Sequence, residues 1–157
     1  RKILELIALS SLVSNMDLYK SKLESIEHMW NARLIFRDIE RINPDFYPSA
    51  IIIDPGDKSK WYDRTDNILS KDEFIKIYDK IGKAMHEDSP LLSFKETELY
   101  YKEMENNILG WIKKIQNLLW AHLIKLEDKD TIFYVSIDGK LSDSPYGNIF
   151  EAVKSAE

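Results

Sequence analysis

The chain has 157 residues, of which 44% are hydrophobic and 31% are charged, and its 27 acidic residues outnumber its 22 basic residues. A chain of this length can bury a core without staples, and the absence of cysteine excludes disulfide frameworks, thiol nucleophiles and cysteine-based zinc or iron–sulfur sites. The formal net charge of −5 opposes broad binding to a phosphate backbone, while a local basic patch stays compatible with it.

Hydropathy along the chain indicates neither a membrane segment nor a secretion signal. No apolar run approaches the roughly 18 residues that a membrane-spanning helix needs. The first residues, Arg1-Lys2-Ile3-Leu4-Glu5-Leu6, lack an initiating Met and soon reach a glutamate, which is unlike a signal peptide. We therefore expect a cytoplasmic protein that does not associate with membranes.

The first predicted element is a long amphipathic helix from about Ile3 to Arg41. Apolar residues recur along it at alternating steps of three and four: Leu9, Leu12, Met16, Tyr19, Leu23, Ile26 and Trp30. Residues 14–17 (Ser-Asn-Met-Asp) look like a possible break, but the stripe keeps its phase through them, which favours one continuous helix. Asn43-Pro44 ends the helix, because the residue before a proline is driven out of helical geometry.

The next segment, residues 44–69, is predicted to be a long packed loop with room for one short strand at 51–53. It carries three prolines and a glycine around an isoleucine run. A connection of this length without secondary structure is uncommon in a compact domain. We therefore expect it either to pack against the helices or to carry function.

Two capping boxes predict two further helices. Ser70 opens the first, with a glutamate three residues later, and the helix runs to about His86. Ser93 opens the second in the same way, and its apolar stripe continues to about Ala121. The chain thus predicts two long helices flanking one short helix.

Beyond residue 122 the composition changes to the β-branched and aromatic residues typical of strands. Strands are predicted at 123–126, 131–137 and 148–153, with Asp138-Gly139 as a hairpin turn. The predicted fold is mainly α: one domain, 1–157, in which a helical bundle of two long helices and one short helix (1–122, with the long loop at 44–69) carries a small C-terminal antiparallel β-meander (123–157).

Arg33 and Arg37 lie where the apolar stripe of the first helix would continue. One interpretation is that the end of the helix extends beyond the core, so that both arginines are solvated or the Arg33 side chain lies along Trp30. The other interpretation is a polar pocket at one end of the bundle, in which Arg37, Asp38 and Glu40 face another helix end. The sequence leaves both open.

His86 is predicted to lie at the C-terminus of the short helix, where the macrodipole favours its protonated form. It either bonds to backbone carbonyls or Asp88, or acts as an acid/base group in phosphodiester cleavage. His122 falls on an apolar helical stripe and is interpreted as a core or boundary residue, and His28 as solvated. Three scattered histidines predict no metal site, and no cofactor is expected.

Trp61 and Tyr62 are the only aromatic residues inside a basic loop segment, which also contains Lys58, Lys60 and Arg64. Trp61, Tyr62 and Arg64 are therefore candidates for contact with a ligand or partner, together with Asp88 beyond the short helix. The preceding residues, 54–60, lack the glycine spacing of a phosphate loop and are interpreted as a turn.

Residues 30–33 (Trp-Asn-Ala-Arg), 41–48 (Arg-Ile-Asn-Pro-Asp-Phe-Tyr-Pro) and 82–90 resemble uncharacterised bacterial helical proteins loosely related to the HEPN (higher eukaryotes and prokaryotes nucleotide-binding) superfamily. Catalytic members place an arginine four to six residues before a histidine and act on RNA as dimers. Here Lys80 stands six residues before His86. Lysine offers a point charge where arginine grips phosphate at two points, so the resemblance implies a self-pairing helical core more strongly than a nuclease.

We therefore expect a non-catalytic, homodimeric helical interaction module in the bacterial cytoplasm, open to a further protein partner. The long first and last helices present more apolar surface than one short helix covers, which favours the dimer. The alternative is a HEPN-like RNA-binding protein or metal-independent ribonuclease of a defence or toxin system. In that case His86 is the acid/base group, and Lys80, Arg33 or Arg37 holds the phosphate.

Overall fold

A computed structural model describes residues 1–16, 31–57, 60–86, 94–126, 131–137 and 146–151. The helices are α1 (Lys2–Ser14), α2 (Ala32–Ile42), α3 (Lys71–His86) and α4 (Phe94–Trp120). The strands are β1 (Ser49–Ile53), β2 (Trp61–Asp63), β3 (Ala121–Lys125), β4 (Thr131–Ser136) and β5 (Tyr146–Glu151). Among the described residues, all five strands form one antiparallel sheet in the order β2-β1-β3-β4-β5.

The prediction of a mainly α bundle with a small appended meander is wrong, because the fold mixes helices with a five-stranded sheet. β1 and β2 come from the segment predicted to be a loop with room for one short strand at 51–53; β1 covers that strand, and the two strands together extend the C-terminal ones. Ala50 lies opposite His122 of β3, while Ile52 lies opposite Tyr62 of β2. The isoleucine run of β1 suits a strand flanked on both sides. Its partner β2 follows after only seven residues, but its other partner, β3, is distant in sequence and leaves no local signal.

The helix pattern of two long and one short is also wrong. The described helices contain 13, 11, 16 and 27 residues. In place of one helix from Ile3 to Arg41, α1 ends at Ser14 and α2 starts after Asn31, whose side chain accepts a hydrogen bond from the Arg33 N–H at 3.0 Å. Asparagine favours such caps because its side chain replaces a missing backbone partner. The part of the predicted stripe at 17–30 lies outside the described residues.

The other helix predictions are confirmed. α2 ends one residue before Asn43-Pro44, and α3 begins after Ser70, whose hydroxyl accepts a hydrogen bond from the Glu73 N–H at 3.3 Å. α4 covers nearly the predicted range, but it ends at Trp120 and the chain passes directly into β3. The turn predicted at Asp138-Gly139 and the cap at Ser93 lie outside the described residues.

The hydrophobic core lies between α1, α2, α3 and the segments that lead into β1 and α3. At its centre, the ring of Phe36 lies 4.6 Å from that of Phe74 and 5.1 Å from that of Phe46, measured between centroids. All three rings are fully buried. α4 reaches this core through its last turns, where Leu118 is buried.

A buried pair of asparagines joins the ends of α1, α2 and β3. The Asn43 amide donates to Asn15 Oδ1 at 3.0 Å and to the Lys125 carbonyl at 2.7 Å. The Asn15 amide donates to the Ser11 carbonyl at 2.8 Å, and the Asp45 N–H donates to Asn43 Oδ1 at 3.1 Å. Because these buried groups satisfy one another, the network stabilises one position of α2 against the sheet.

Candidate functional site

The three cations predicted to hold phosphate each pair with a carboxylate. Arg33 Nη1 of α2 lies 3.2 Å from Asp79 Oδ2 of α3, and Arg37 Nε lies 2.8 Å from its neighbour Asp38. Lys80 of α3 pairs with Glu103 of α4. Both arginines are exposed, in keeping with the solvated interpretation. A paired cation must give up its carboxylate before it binds a phosphate.

His86 is the last residue of α3, and it follows the Arg33 partner Asp79 by seven residues. At a rise of 1.5 Å per residue, about 10 Å of helix separates the two positions. Arg33 therefore contacts α3 about two turns before His86. The His86 side chain and Asp88 lie outside the described residues, so their predicted roles stay predictions.

Trp61 and Tyr62 form β2 at the edge of the sheet, and both are exposed. The Tyr62 hydroxyl donates to Asp54 Oδ2 at 3.1 Å, and the N–H groups of Gly56 and Asp57 donate to Asp54 Oδ1 at 2.7 and 3.1 Å. The two backbone hydrogen bonds, and then that of Tyr62, lower the pKa of Asp54. The predicted turn is thus confirmed as the tight connection that positions β2.

Arg64, the residue after β2, lines a cleft of about 490 Å³. The cleft lies among the first residues of β1, the end of β3 and the N-terminus of α3. Its charged lining residues are Asp45, Asp63, Arg64, Lys71 and Lys125. Its apolar lining includes Pro44, Pro48, Ile68, Leu118 and Leu123. The lining of the cleft therefore combines apolar side chains with charged side chains of both signs.

The cations of this cleft, hereafter the Arg64 cleft, differ in their partners. Arg64 is anchored by its backbone N–H, which donates to the Ala50 carbonyl at 2.9 Å, but its buried Nε finds no acceptor in the described part of the chain. Lys71 pairs with Glu40. The side chains of Arg64 and Lys125 form no ion pair with a described residue. Among the described residues, Arg64 and Lys125 thus line the Arg64 cleft without a carboxylate at ion-pair distance, although Asp45 and Asp63 belong to the same lining.

Tyr47 forms a fixed wall of the Arg64 cleft. Its hydroxyl donates to the Leu69 carbonyl at 2.9 Å. Burial, with a smaller contribution from the nearby Glu73 carboxylate, raises the pKa of the Tyr47 phenol. Tyr47 therefore stays protonated at neutral pH and acts as a structural donor.

His122 is buried as predicted, but it lies in β3 rather than on the last helix. Burial lowers its pKa, and hydrogen bonds to the backbone of Leu119 and Leu118 act in the opposite direction. Its Nδ1 has no hydrogen-bond partner among the residues that the structure describes, which suits a neutral ring with an unprotonated nitrogen at that position. His122 is therefore a core residue.

The long helix α4 contacts the rest of the protein mainly through its end. None of its residues from Glu96 to Gln116 is buried. One side is tied to α3, because Lys114 Nζ bonds Glu73 at 2.6 Å and the Tyr100 hydroxyl donates to the Lys80 carbonyl. Four large apolar residues elsewhere on the helix are between 45% and 76% exposed: Tyr101, Ile108, Leu109 and Ile112. These four residues are called the outer face of α4 below.

No protein-family model matches the chain, and no curated protein or solved structure matches it significantly. The resemblance to HEPN proteins therefore stays an expectation from local residue patterns. None of the described helices has the length and apolarity required to cross a membrane. Within the described part of the chain, no group of three or more histidine, aspartate or glutamate side chains is placed to hold a metal ion.

Sequence reasoning identified Arg64 but missed the residues that surround it. The aromatic and basic segment at 58–64 was the signal for Arg64. Asp45, Lys71 and Lys125 carry no such signal, because only the pairing of β1 with β3 brings their segments together. The apolar stripe of α4 was visible in the sequence and its surplus apolar surface was the ground for expecting a dimer, but the sequence did not identify which of its residues are exposed.

Proposed function

We propose that the protein is a non-catalytic interaction module that pairs with a second copy of itself through the outer face of α4. The observation that carries this proposal is the exposure of α4, whose residues from Glu96 to Gln116 include none that is buried. Helices in proteins owe most of their stability to the packing of an apolar face. A 27-residue helix with an uncovered apolar stripe is therefore suited to docking against another helix.

The outer face forms one continuous stripe. Tyr101 and Ile108 are seven residues apart, and Ile112 follows four residues later, so the three side chains share one side of the helix. Leu109 flanks them and is the most exposed of the four. Burying a half-exposed side chain of this size stabilises an interface by about 1 kcal/mol. Two copies of the stripe supply enough for a weak to moderate dimer.

The distribution of charge along α4 indicates why the partner is a second copy. The half before residue 106 contains Glu96, Glu98, Glu103 and Glu105 against two lysines, Lys95 and Lys102, whereas the later half contains Lys113 and Lys114 and no acidic residue. An antiparallel pair of α4 helices, related by a two-fold axis near Ile108, sets each acidic half beside a basic half. The same axis sets Tyr101 opposite Ile115 of the second copy.

The RNA-directed alternative draws no comparable support from the described residues. Its three cations, Arg33, Arg37 and Lys80, already pair with carboxylates. The net charge of −5 further opposes attraction of a phosphate backbone.

Sedimentation velocity at micromolar concentrations tests the dimer. The parent chain is expected to sediment as a concentration-dependent dimer, and Ile108→Glu to weaken association at least tenfold, because it places two like charges at the two-fold axis. The matched control is Leu99→Glu, an exposed leucine on the opposite side of the same helix, which should leave association unchanged. A monomeric parent, or equal effects of the two variants, contradicts the proposal.

A further inference from the structure

Arg64 combines a backbone N–H that is hydrogen-bonded with a side-chain nitrogen that is not. The N–H donates to the Ala50 carbonyl of β1, just beyond the end of β2, while the buried Nε has no acceptor among the described residues. Burying a guanidinium donor without an acceptor destabilises a fold, and nearly all such groups in native proteins find a partner. The described part of the chain supplies none, so the structure itself does not explain why an arginine lies here.

The groups around Arg64 in the cleft favour the binding of an anion. Lys125 also lines the Arg64 cleft without an ion pair to a described residue, and its backbone is held by Asn43. The N-terminus of α3 lies on the same cleft at Ser70 and Lys71, where the helix dipole favours negative charge. Three independent features thus attract an oxyanion to one recess.

The charge and shape of the cleft limit which anion fits. Asp45 and Asp63 line it as well, which disfavours a multiply charged ligand such as a phosphate. A guanidinium matches the planar carboxylate at two points. Ile68, Leu118 and Leu123 provide an apolar wall, and the volume of about 490 Å³ falls within the range of small-molecule pockets.

We propose that the Arg64 cleft binds a small molecule that carries a single carboxylate and an apolar chain. The carboxylate accepts hydrogen bonds from Arg64 and contacts Lys125, and the chain lies against the apolar wall. This site is separate from the outer face of α4, since none of the four outer-face residues lines the cleft. The inference therefore does not depend on self-association.

A titration followed by ¹H–¹⁵N NMR of the full chain tests the carboxylate requirement. The probes are 4-methylpentanoate, its neutral amide 4-methylpentanamide, and inorganic phosphate. Saturable shifts of the amides of Ala50, Arg64 and Lys125 are expected with 4-methylpentanoate alone. Equal shifts with the neutral amide, a response to phosphate only, or no saturable response to 4-methylpentanoate at millimolar concentration overturns the proposal.

Two variants separate binding from folding. Arg64→Gln should weaken 4-methylpentanoate binding tenfold or more, the loss expected for a hydrogen bond to a charged group. Its melting temperature without ligand should equal or exceed that of the parent, because the unsatisfied guanidinium is removed. The matched control Arg41→Gln, on α2 outside the cleft, should bind as the parent does.

A lower melting temperature of Arg64→Gln, with binding by the folded variant unchanged, assigns Arg64 a structural role and overturns the inference. If Arg64→Gln does not fold, Lys125→Gln replaces it, because the backbone carbonyl that anchors Lys125 is retained. Lys125→Gln should weaken binding by several-fold, and unchanged binding by this variant contradicts the site.

Discussion

The aromatic core around Phe36 and the outer face of α4 place the same kind of side chain in opposite environments. Phe36, Phe46 and Phe74 are fully buried, and their rings pack at centroid distances near 5 Å. Tyr101, Ile108, Leu109 and Ile112 are each about half exposed or more. The stability of the single chain therefore resides in the first region, while the second has apolar surface left for association.

The segment from Tyr47 to Leu69 both packs against the core and lines the Arg64 cleft. Tyr47 and Leu69 belong to the core or pack against it, and they also line the Arg64 cleft. The core side of this segment makes it rigid. The cleft side presents charged groups at fixed positions, as a binding site requires.

The largest expected effect is in the core. Phe74→Ala should lower the free energy of unfolding by about 3–5 kcal/mol, because it removes a buried ring and leaves a cavity among the aromatic residues. Leu109→Ala on the outer face of α4 should change it by about 0.5 kcal/mol or less at concentrations where the chain is monomeric. Urea denaturation of both variants measures the contrast. Similar losses would show that α4 is as well packed as the core.

The buried asparagine network is next in magnitude. Asn43→Leu removes the donor to Asn15 and to the Lys125 carbonyl, leaving one buried and one partly buried acceptor without their bond. We expect a loss of about 2–4 kcal/mol, since each unsatisfied buried group costs about 1–3 kcal/mol. Asn107→Leu is the control, because the Asn107 amide bonds the Glu103 carbonyl on the exposed part of α4. A loss for Asn43→Leu no greater than for this control would show that the network is not stabilising.

How far the sequence predicts this fold depends on whether the signal is local. α3 was predicted from end to end because its cap, Ser70, and its apolar stripe lie within one segment. The continuous first helix was wrong because an apolar stripe in phase says nothing about the side chains of Asn15 and Asn31, which form the end of α1 and the cap of α2. The five-stranded sheet was missed because β1 pairs with β3, which lies on the far side of two helices in the chain.

The candidate site follows the same rule. Arg64 stood out because its aromatic and basic neighbours are adjacent in sequence. Lys71 and Lys125 did not, because they approach Arg64 only once the sheet has formed. The apolar stripe of α4 was visible, but periodicity alone cannot tell a face that packs within the chain from one that faces outward.

The cap of α3 supports a smaller prediction. Ser70→Ala removes the acceptor for the Glu73 N–H and should lower the free energy of unfolding by about 1 kcal/mol. Ser10→Ala is the control, because Ser10 lies on the exposed side of α1 and its hydroxyl only bonds the Ile7 carbonyl of the same helix. That change should be neutral or slightly stabilising. If Ser70→Ala and Ser10→Ala change the free energy of unfolding equally in chemical denaturation, the Ser70 cap does not stabilise α3.

His122 predicts a dependence of stability on pH. Its folded pKa lies below the ordinary value of 6.5, so below that pH the unfolded chain binds a proton that the folded chain does not. The contribution of a neutral His122 is therefore complete above about pH 6.5 and falls as the pH drops toward the folded pKa, by up to about 1.4 kcal/mol per pH unit. His122→Gln should lose less stability than the parent between pH 7.5 and 5.5. Parallel losses in urea denaturation would contradict this.

The smallest expected effect is at the ion pair between α2 and α3. Arg33→Gln breaks the contact with Asp79, but both side chains are substantially exposed, so the free energy of unfolding should fall by only about 0.5 kcal/mol at low salt and not at all at high salt. Arg37→Gln is the matched control, because Asp38 is its neighbour on the same helix and no second helix is involved. A loss above about 1.5 kcal/mol for Arg33→Gln that persists in salt would contradict this prediction. It would show that the pair contributes to stability as a core contact does, so that the stabilising region extends to the outer side of α2.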